Sequence, residues 1–288
     1  MKFVTCRHGG RTTWGAVTED GDGVVDLGRR LPDVPDLSSA LETGRLDEAR
    51  DAASWAEADF ALSDVVFERT IPRPKKIICI GVNYGGRNAE YADSSSSSNP
   101  SVFVRFPASL TGHGQALVRP PESDQLDYEG EIVAVIGKQG RRIAQQHARE
   151  HIAGLTLGNE GTIRDWLRHA KFNVTQGKNW ERSGSMGPWL VTLDEIGDFE
   201  DLRLQTRVNG ELRQDDSPAT MAYSIEYQIE YLSKFITLDP GDVIYTGTPT
   251  GAGAHLDPPV WLSPGDVVEV SVEGIGTLMN TIEDENLL

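Results

Sequence analysis

The chain has 288 residues, 38% hydrophobic and 25% charged, a balance that fits a globular protein with one large core or two unequal domains. Its formal net charge of −17, from 44 Asp and Glu against 27 Lys and Arg, sets up a field that repels phosphate backbones and anionic lipid, so neither nucleic acid nor membrane is an expected partner. Cys6 and Cys79 stand far apart in no metal-binding spacing, the first residues lack an apolar signal core, and no apolar run is long enough to span a bilayer; a cytoplasmic protein without disulfides is expected.

In chain order, residues 1–71 read as a small β-containing N-terminal domain: short strands at 3–5 and 14–17, a turn at Gly21-Asp22-Gly23, then a helical stretch rich in Ala, Asp and Glu. Ile71-Pro72-Arg73-Pro74 reads as an extended linker, because two prolines in four residues forbid helix, and it places a larger domain at 72–288. There the Val, Ile and Thr runs predict strands at 76–80, 102–106, 131–136, 204–208, 242–245 and 267–272. Helical periodicity in this part is confined to 145–152, 162–169 and 224–235. Strands outnumber helices without alternating with them, so an α+β, β-dominated fold is expected. Asn209-Gly210 predicts a two-residue hairpin turn, since both residues tolerate positive φ. Gly85-Gly86 and the five serines 94–98 mark residues 85–100 as a candidate lid carrying Glu90.

Glu129 and Glu131 stand two apart at the entry to an apolar strand, so their carboxylates leave the same face. Two like charges forced together are either a solvated edge or half of a cation site, and a bound divalent ion would remove the repulsion. Glu160, 29 residues after Glu131, falls where a strand is predicted to give way to a helix; it is either a helix-capping acid or a third carboxylate ligand. Three oxygen ligands with open positions suit Mg²⁺ or Mn²⁺, whereas zinc would want His or Cys.

The succession Lys75-Lys76-Ile77-Ile78-Cys79-Ile80-Gly81-Val82-Asn83-Tyr84, Asp127-Tyr128-Glu129-Gly130-Glu131, Asn159-Glu160 with Arg164-Asp165, Gly177-Lys178, Gly187-Pro188-Trp189 and Tyr245-Thr246-Gly247-Thr248-Pro249-Thr250-Gly251 resembles the fumarylacetoacetate hydrolase family over about residues 72–284. The resemblance implies a β-roll of mixed strands, a homodimer, and Mg²⁺ or Mn²⁺ held at its mouth by Glu129, Glu131 and Glu160, the last where many members carry Asp. It also implies Lys178 as the active-site lysine, and Thr248 with Gly247, Arg164 and Tyr84 as substrate contacts. Chemically these roles are coherent: Lys178 suits a substrate carboxylate or a developing oxyanion, and Thr248 could donate to the same group.

One position departs from the pattern. Hydrolytic members of the resembling family place a histidine three residues after Asn-Tyr and a glutamate three further on; here Arg87 takes the histidine position and Glu90 is retained. A guanidinium cannot act as a general base. Leu167 likewise replaces a glutamine, and His113 is a candidate substitute base. The expected substrate is a small oxo acid, and the first expectation is hydrolysis of a C–C bond in an acylpyruvate-like or fumarylpyruvate-like dicarbonyl acid. Isomerisation or decarboxylation of a related oxo acid is the alternative, and a metabolite-binding protein with impaired catalysis is a third.

Overall fold

The computed structural model describes residues 1–90, 99–167, 169–171 and 173–286. The serine run and half of the predicted lid, residues 91–98, lie outside the described residues. Strands dominate, as the Val, Ile and Thr runs predict. One large mixed sheet has the order Phe60–Ala61, Gly23–Asp26, Arg11–Val17, Lys2–His8, Gly184–Thr192, Ile152–Asn159, Gly130–Ile136, Val243–Tyr245, Ile77–Gly81, Ser101–Val104. The N-terminal strands join it through Lys2–His8, which pairs antiparallel with Gly184–Thr192. A second sheet of five strands runs Glu211–Asp216, Leu204–Val208, Val267–Val272, Gly276–Asp284, Leu117–Arg119.

The Gly130–Ile136 strand is buried on both faces, which is why it reads as a continuous apolar run. Ile132, Ala134 and Ile136 enter a core built with Leu155, Leu157, Ile229 and Val270, while Val133 and Val135 enter another with Phe3, Trp14, Met186 and Tyr245. This alternation fixes the strand's register, since a slip of one residue would exchange the two sets. At its first residue a Cβ would meet Thr206 Oγ1 at 2.0 Å, so only glycine lets the two sheets approach at Gly130. The Asn209-Gly210 turn has φ values of 52° and 81°, joining Leu204–Val208 to Glu211–Asp216 as the hairpin rule requires.

Two predicted helices come out differently. Residues 162–169 begin with Thr162–Ile163, which pairs with Leu126–Asp127, and continue as a single 3₁₀ turn at Arg164–Trp166. Arg164 N–H donates to Gln125 O at 3.0 Å, continuing the pairing with Leu126–Asp127 and holding the start of the segment extended against that strand. Gln145–His151 is likewise 3₁₀, with His147 N–H bonded three residues back to Ala144 O. The third prediction corresponds to the α-helix Ile225–Ser233, capped by the Ser224 side chain. Two short helices were not anticipated, Arg87–Glu90 and Thr175–Lys178, and both carry site residues. No helix among the described residues is long and apolar enough to cross a membrane.

Candidate active site

Glu129 and Glu131 flank Gly130 at the start of the central strand, and Glu160 follows the end of Ile152–Asn159, the strand paired with it. Glu160 N–H donates to Glu129 O at 2.8 Å, and Asn159 Oδ1 accepts from Glu129 N–H at 2.9 Å, tying the two chain segments together beneath the carboxylates. A Cβ on Gly161 would fall 1.7 Å from Ser183 O, so the turn carrying Glu160 depends on a glycine there. All three carboxylates are buried, and one oxygen from each lies within 4.8 Å of the others.

Four cationic side chains surround them. Lys178 Nζ donates to Glu129 Oε2 at 2.5 Å and to Glu160 Oε2 at 3.1 Å. Arg164 spans Glu129 Oε1 and Asp127 Oδ2, at 2.7 Å each, and Asp127 is itself anchored by the Gly253 and Ala254 amides. Arg87, 2% exposed, reaches Glu129 Oε1 at 3.3 Å and also pairs with Glu90, whose other oxygen accepts from Gly251 N–H at 3.0 Å. Arg105, buried behind Glu160, stands 4.0 Å from Glu160 Oε1 and donates to Gly161 O, Ser109 and Ser183.

This distribution separates the carboxylates electrostatically. Burial alone would raise Glu129, but the charges of Lys178, Arg164 and Arg87 overcome it and hold that carboxyl well below its ordinary range. Glu131 is pushed well above its usual range by burial and by the Glu160 and Glu129 charges; its hydrogen bond from Gly247 N–H, 2.7 Å, opposes this only in part. For Lys178, burial favours the neutral amine, yet the Glu129 and Glu160 carboxylates raise its affinity for the proton and keep it an ammonium. Glu160 Oε1 is buried without a hydrogen-bond partner. A buried, unsatisfied carboxylate oxygen and an all-oxygen donor set together fit a hard divalent cation.

A cavity of about 220 Å³ opens over these groups. Glu129, Glu131, Glu160, Lys178, Arg87 and Thr248 line it, and Ile80, Phe103, Leu167 and Val174 form its apolar wall. The Leu167 position, where a polar residue was expected by resemblance, thus contributes hydrophobic surface. Arg164 lies behind Glu129, and Gly247 contributes the amide that holds Glu131. Tyr84 packs in the main core, with a buried hydroxyl lacking a hydrogen-bond partner, and is not among the lining residues. His113 packs edge-on against Phe67, with its Nδ1 accepting from Met279 N–H, away from the cavity lining, so it is no substitute base. Sequence reasoning left Asp127, Arg105 and Gln214 unassigned. Asp127 adjoins the paired glutamates and could have been flagged; Arg105 and Gln214 lie in other segments and carry no local signal.

A family model described as fumarylacetoacetate (FAA) hydrolase C-terminal matches residues 76–283. Oxaloacetate tautomerase YisK of Bacillus subtilis (strain 168) is 39% identical over 98% of this chain and 100% of its own length. Among solved structures, the fumarylacetoacetate hydrolase EaFAH of Exiguobacterium antarcticum superposes with a TM-score of 0.84 at 32% identity, covering 99% of this chain and 100% of that one. A maleylpyruvate hydrolase of Sphingobium sp. SYK-6, solved with manganese(II) and pyruvate, gives 0.82 at 25% identity with the same coverage. The two solved structures share the strand-rich fold, and the three proteins include both a tautomerase and hydrolases. The ordered motifs, the strand-dominated fold and these matches establish that this chain belongs to the fumarylacetoacetate hydrolase family.

Proposed function

We propose that the chain is a divalent-cation-dependent enzyme that interconverts the enol and keto forms of a small 2-oxo dicarboxylate, with oxaloacetate as the first candidate. The observation that carries this reading is the engagement of Glu90. One of its oxygens pairs with Arg87 and the other accepts from Gly251 N–H, so the acid is a counterion held between two segments. No histidine is among the lining residues, and Arg87 cannot take a proton from water. Among the described residues, attack by activated water therefore lacks a free base in the cavity lining, whereas tautomerisation needs only a proton removed from oxygen and one added to carbon. The similarity to a named oxaloacetate tautomerase supports the same choice. C–C hydrolysis, the first expectation from sequence, ranks below it.

Glu129, Glu131 and Glu160 would hold the cation, as either Mg²⁺ or Mn²⁺. When bound, such an ion supplies Lewis acidity at the substrate carbonyl. The chain's own residues do the rest. Lys178, which holds a proton at Nζ beside the carboxylates, would deliver it to the substrate carbon and take one back from solvent, while the enol oxygen releases its proton to solvent. Arg87 offers a guanidinium in the cavity for the second carboxylate, and the apolar wall of Ile80, Phe103, Leu167 and Val174 limits access of bulk water.

Variants of Arg87 test this assignment. Arg87→Ala is expected to raise KM for oxaloacetate by about ten- to a hundredfold, the loss of a charge-assisted contact worth ~1.5–3 kcal/mol, with a smaller change in kcat. Arg87→His should also lose tautomerase activity and gain no acylpyruvate cleavage. A gain of cleavage in Arg87→His would show a hydrolase disabled at one position. Unchanged kinetics in both variants would remove Arg87 from substrate binding.

A further inference from the structure

Gln214 and Thr248 form a closed hydrogen-bond ring with the Gly130 peptide, which lies between the two paired glutamates. Gly130 N–H donates to Gln214 Oε1 at 2.9 Å; Gln214 Nε2 donates to Thr248 Oγ1 at 2.8 Å and to Pro249 O at 2.8 Å; Thr248 Oγ1 donates to Gly130 O at 2.8 Å. All the participants are buried. Backbone groups fix every direction in this ring. A peptide N–H can only donate, so the Gln214 oxygen faces Gly130. The Pro249 carbonyl can only accept, so the Gln214 nitrogen faces Pro249 and Thr248. The Gly130 carbonyl can only accept, so the single Thr248 hydroxyl proton points at it.

Thr248 lines the cavity, yet its hydroxyl has no proton left to give there. Its hydrogen bonds consume the proton and one lone pair, leaving one lone pair for the cavity. We infer that the Thr248 hydroxyl, oriented by Gln214, acts towards the substrate as a hydrogen-bond acceptor and thereby reads the O–H of the enol form, which the keto form lacks. Gln214 is a positioning residue that acts through Thr248. The step from acceptor to enol selectivity rests on the tautomerase reading; the polarity of the ring does not.

The test uses protein loaded with Mg²⁺ and two probes of equal charge and similar size, L-lactate with an O–H at C2 and pyruvate with a carbonyl there, bound in a calorimeter. Thr248→Val should weaken lactate about three- to tenfold, the effect of losing one neutral hydrogen bond, and leave pyruvate within about twofold. Thr248→Ser, which preserves the ring, should leave the lactate-to-pyruvate ratio as in the unaltered protein. Pyruvate binding also reports that the site has survived the substitution, and Thr248→Ala gives the same comparison should Thr248→Val fail to fold. Equal loss of both probes, loss of pyruvate alone, no change in either, or a shifted ratio in Thr248→Ser overturns the inference. Oxaloacetate tautomerase turnover is measured on the same preparations. Its absence in the unaltered protein, with the ratio change present, refutes the tautomerase reading and leaves the acceptor polarity standing; turnover with equal loss of both probes does the reverse.

Discussion

Glu131→Gln is expected to abolish cation-dependent turnover, by more than ~100-fold, and to erase the stabilisation that Mg²⁺ or Mn²⁺ gives the unaltered protein. The amide is nearly isosteric and still accepts the Gly247 N–H, so the strand entry remains supported. What changes is charge: one of the three carboxylates whose oxygens cluster within 4.8 Å becomes neutral. At a cation concentration of 100 times Kd the unaltered protein should gain about 2.7 kcal/mol against unfolding, and the variant close to none. The metal-free fold should not suffer, because Glu131 is the carboxyl whose ionisation burial and its neighbours oppose. The sign follows from that raised proton affinity: protonated Glu131 favours the folded metal-free state at low pH, and its contribution declines as pH rises through the raised range. Cation binding should correspondingly strengthen with pH and displace a proton from Glu131, and Glu131→Gln should remove that part of the proton release. Thermal melts with and without cation, together with calorimetry in buffers of different protonation enthalpy, measure both effects. Retention of the cation-dependent stabilisation in Glu131→Gln would place the ion elsewhere.

Lys178→Met should separate binding from chemistry. The substitution keeps an unbranched side chain in the Thr175–Lys178 turn but removes the ammonium that bridges Glu129 and Glu160. Turnover should fall by about 10²–10⁴-fold, the range for a positioned proton donor, with little change in KM. Divalent cation should bind at least as tightly, because a competing positive charge is gone. The metal-free variant should lose stability by up to ~3 kcal/mol, since among the described residues Glu160 is left with Arg105, 4.0 Å away, as its ion-pair partner, and added cation should recover much of it. Steady-state kinetics and melts on one preparation distinguish this from general damage. A variant that binds cation normally and retains most of its turnover would remove Lys178 from the proton path.

The carboxylate cluster was readable because its pattern is local. Glu129 and Glu131 share a strand entry, and the strand pairs directly with the one that ends before Glu160, so ordered motifs translate into neighbours in space. The apolar run after Glu131 likewise announced a strand, and the structure adds that both of its faces are buried. The 162–169 stretch misled because its helical periodicity competed with the backbone pairing of Ile163 to Leu126, which is visible only once distant segments meet. Arg87 illustrates a different limit. Its identity showed that the water-activating pattern was altered, but its simultaneous contacts with Glu90 and Glu129 depend on the fold of the Arg87–Glu90 turn over the cluster. Gln214 gave no signal at all: it approaches the Gly130 peptide from the other sheet, 84 residues along the chain.

The most direct measurement follows the absorbance of enol-oxaloacetate in the presence of the chain with Mg²⁺ or Mn²⁺, while the products are identified by chromatography. The account predicts a cation-dependent acceleration of enol loss that chelation abolishes, with keto-oxaloacetate as the product and pyruvate forming no faster than in the same cation solution without the chain. An enol signal that decays at the uncatalysed rate, alongside cation-dependent release of pyruvate from an acylpyruvate, would contradict it and restore C–C hydrolysis as the reaction of this site.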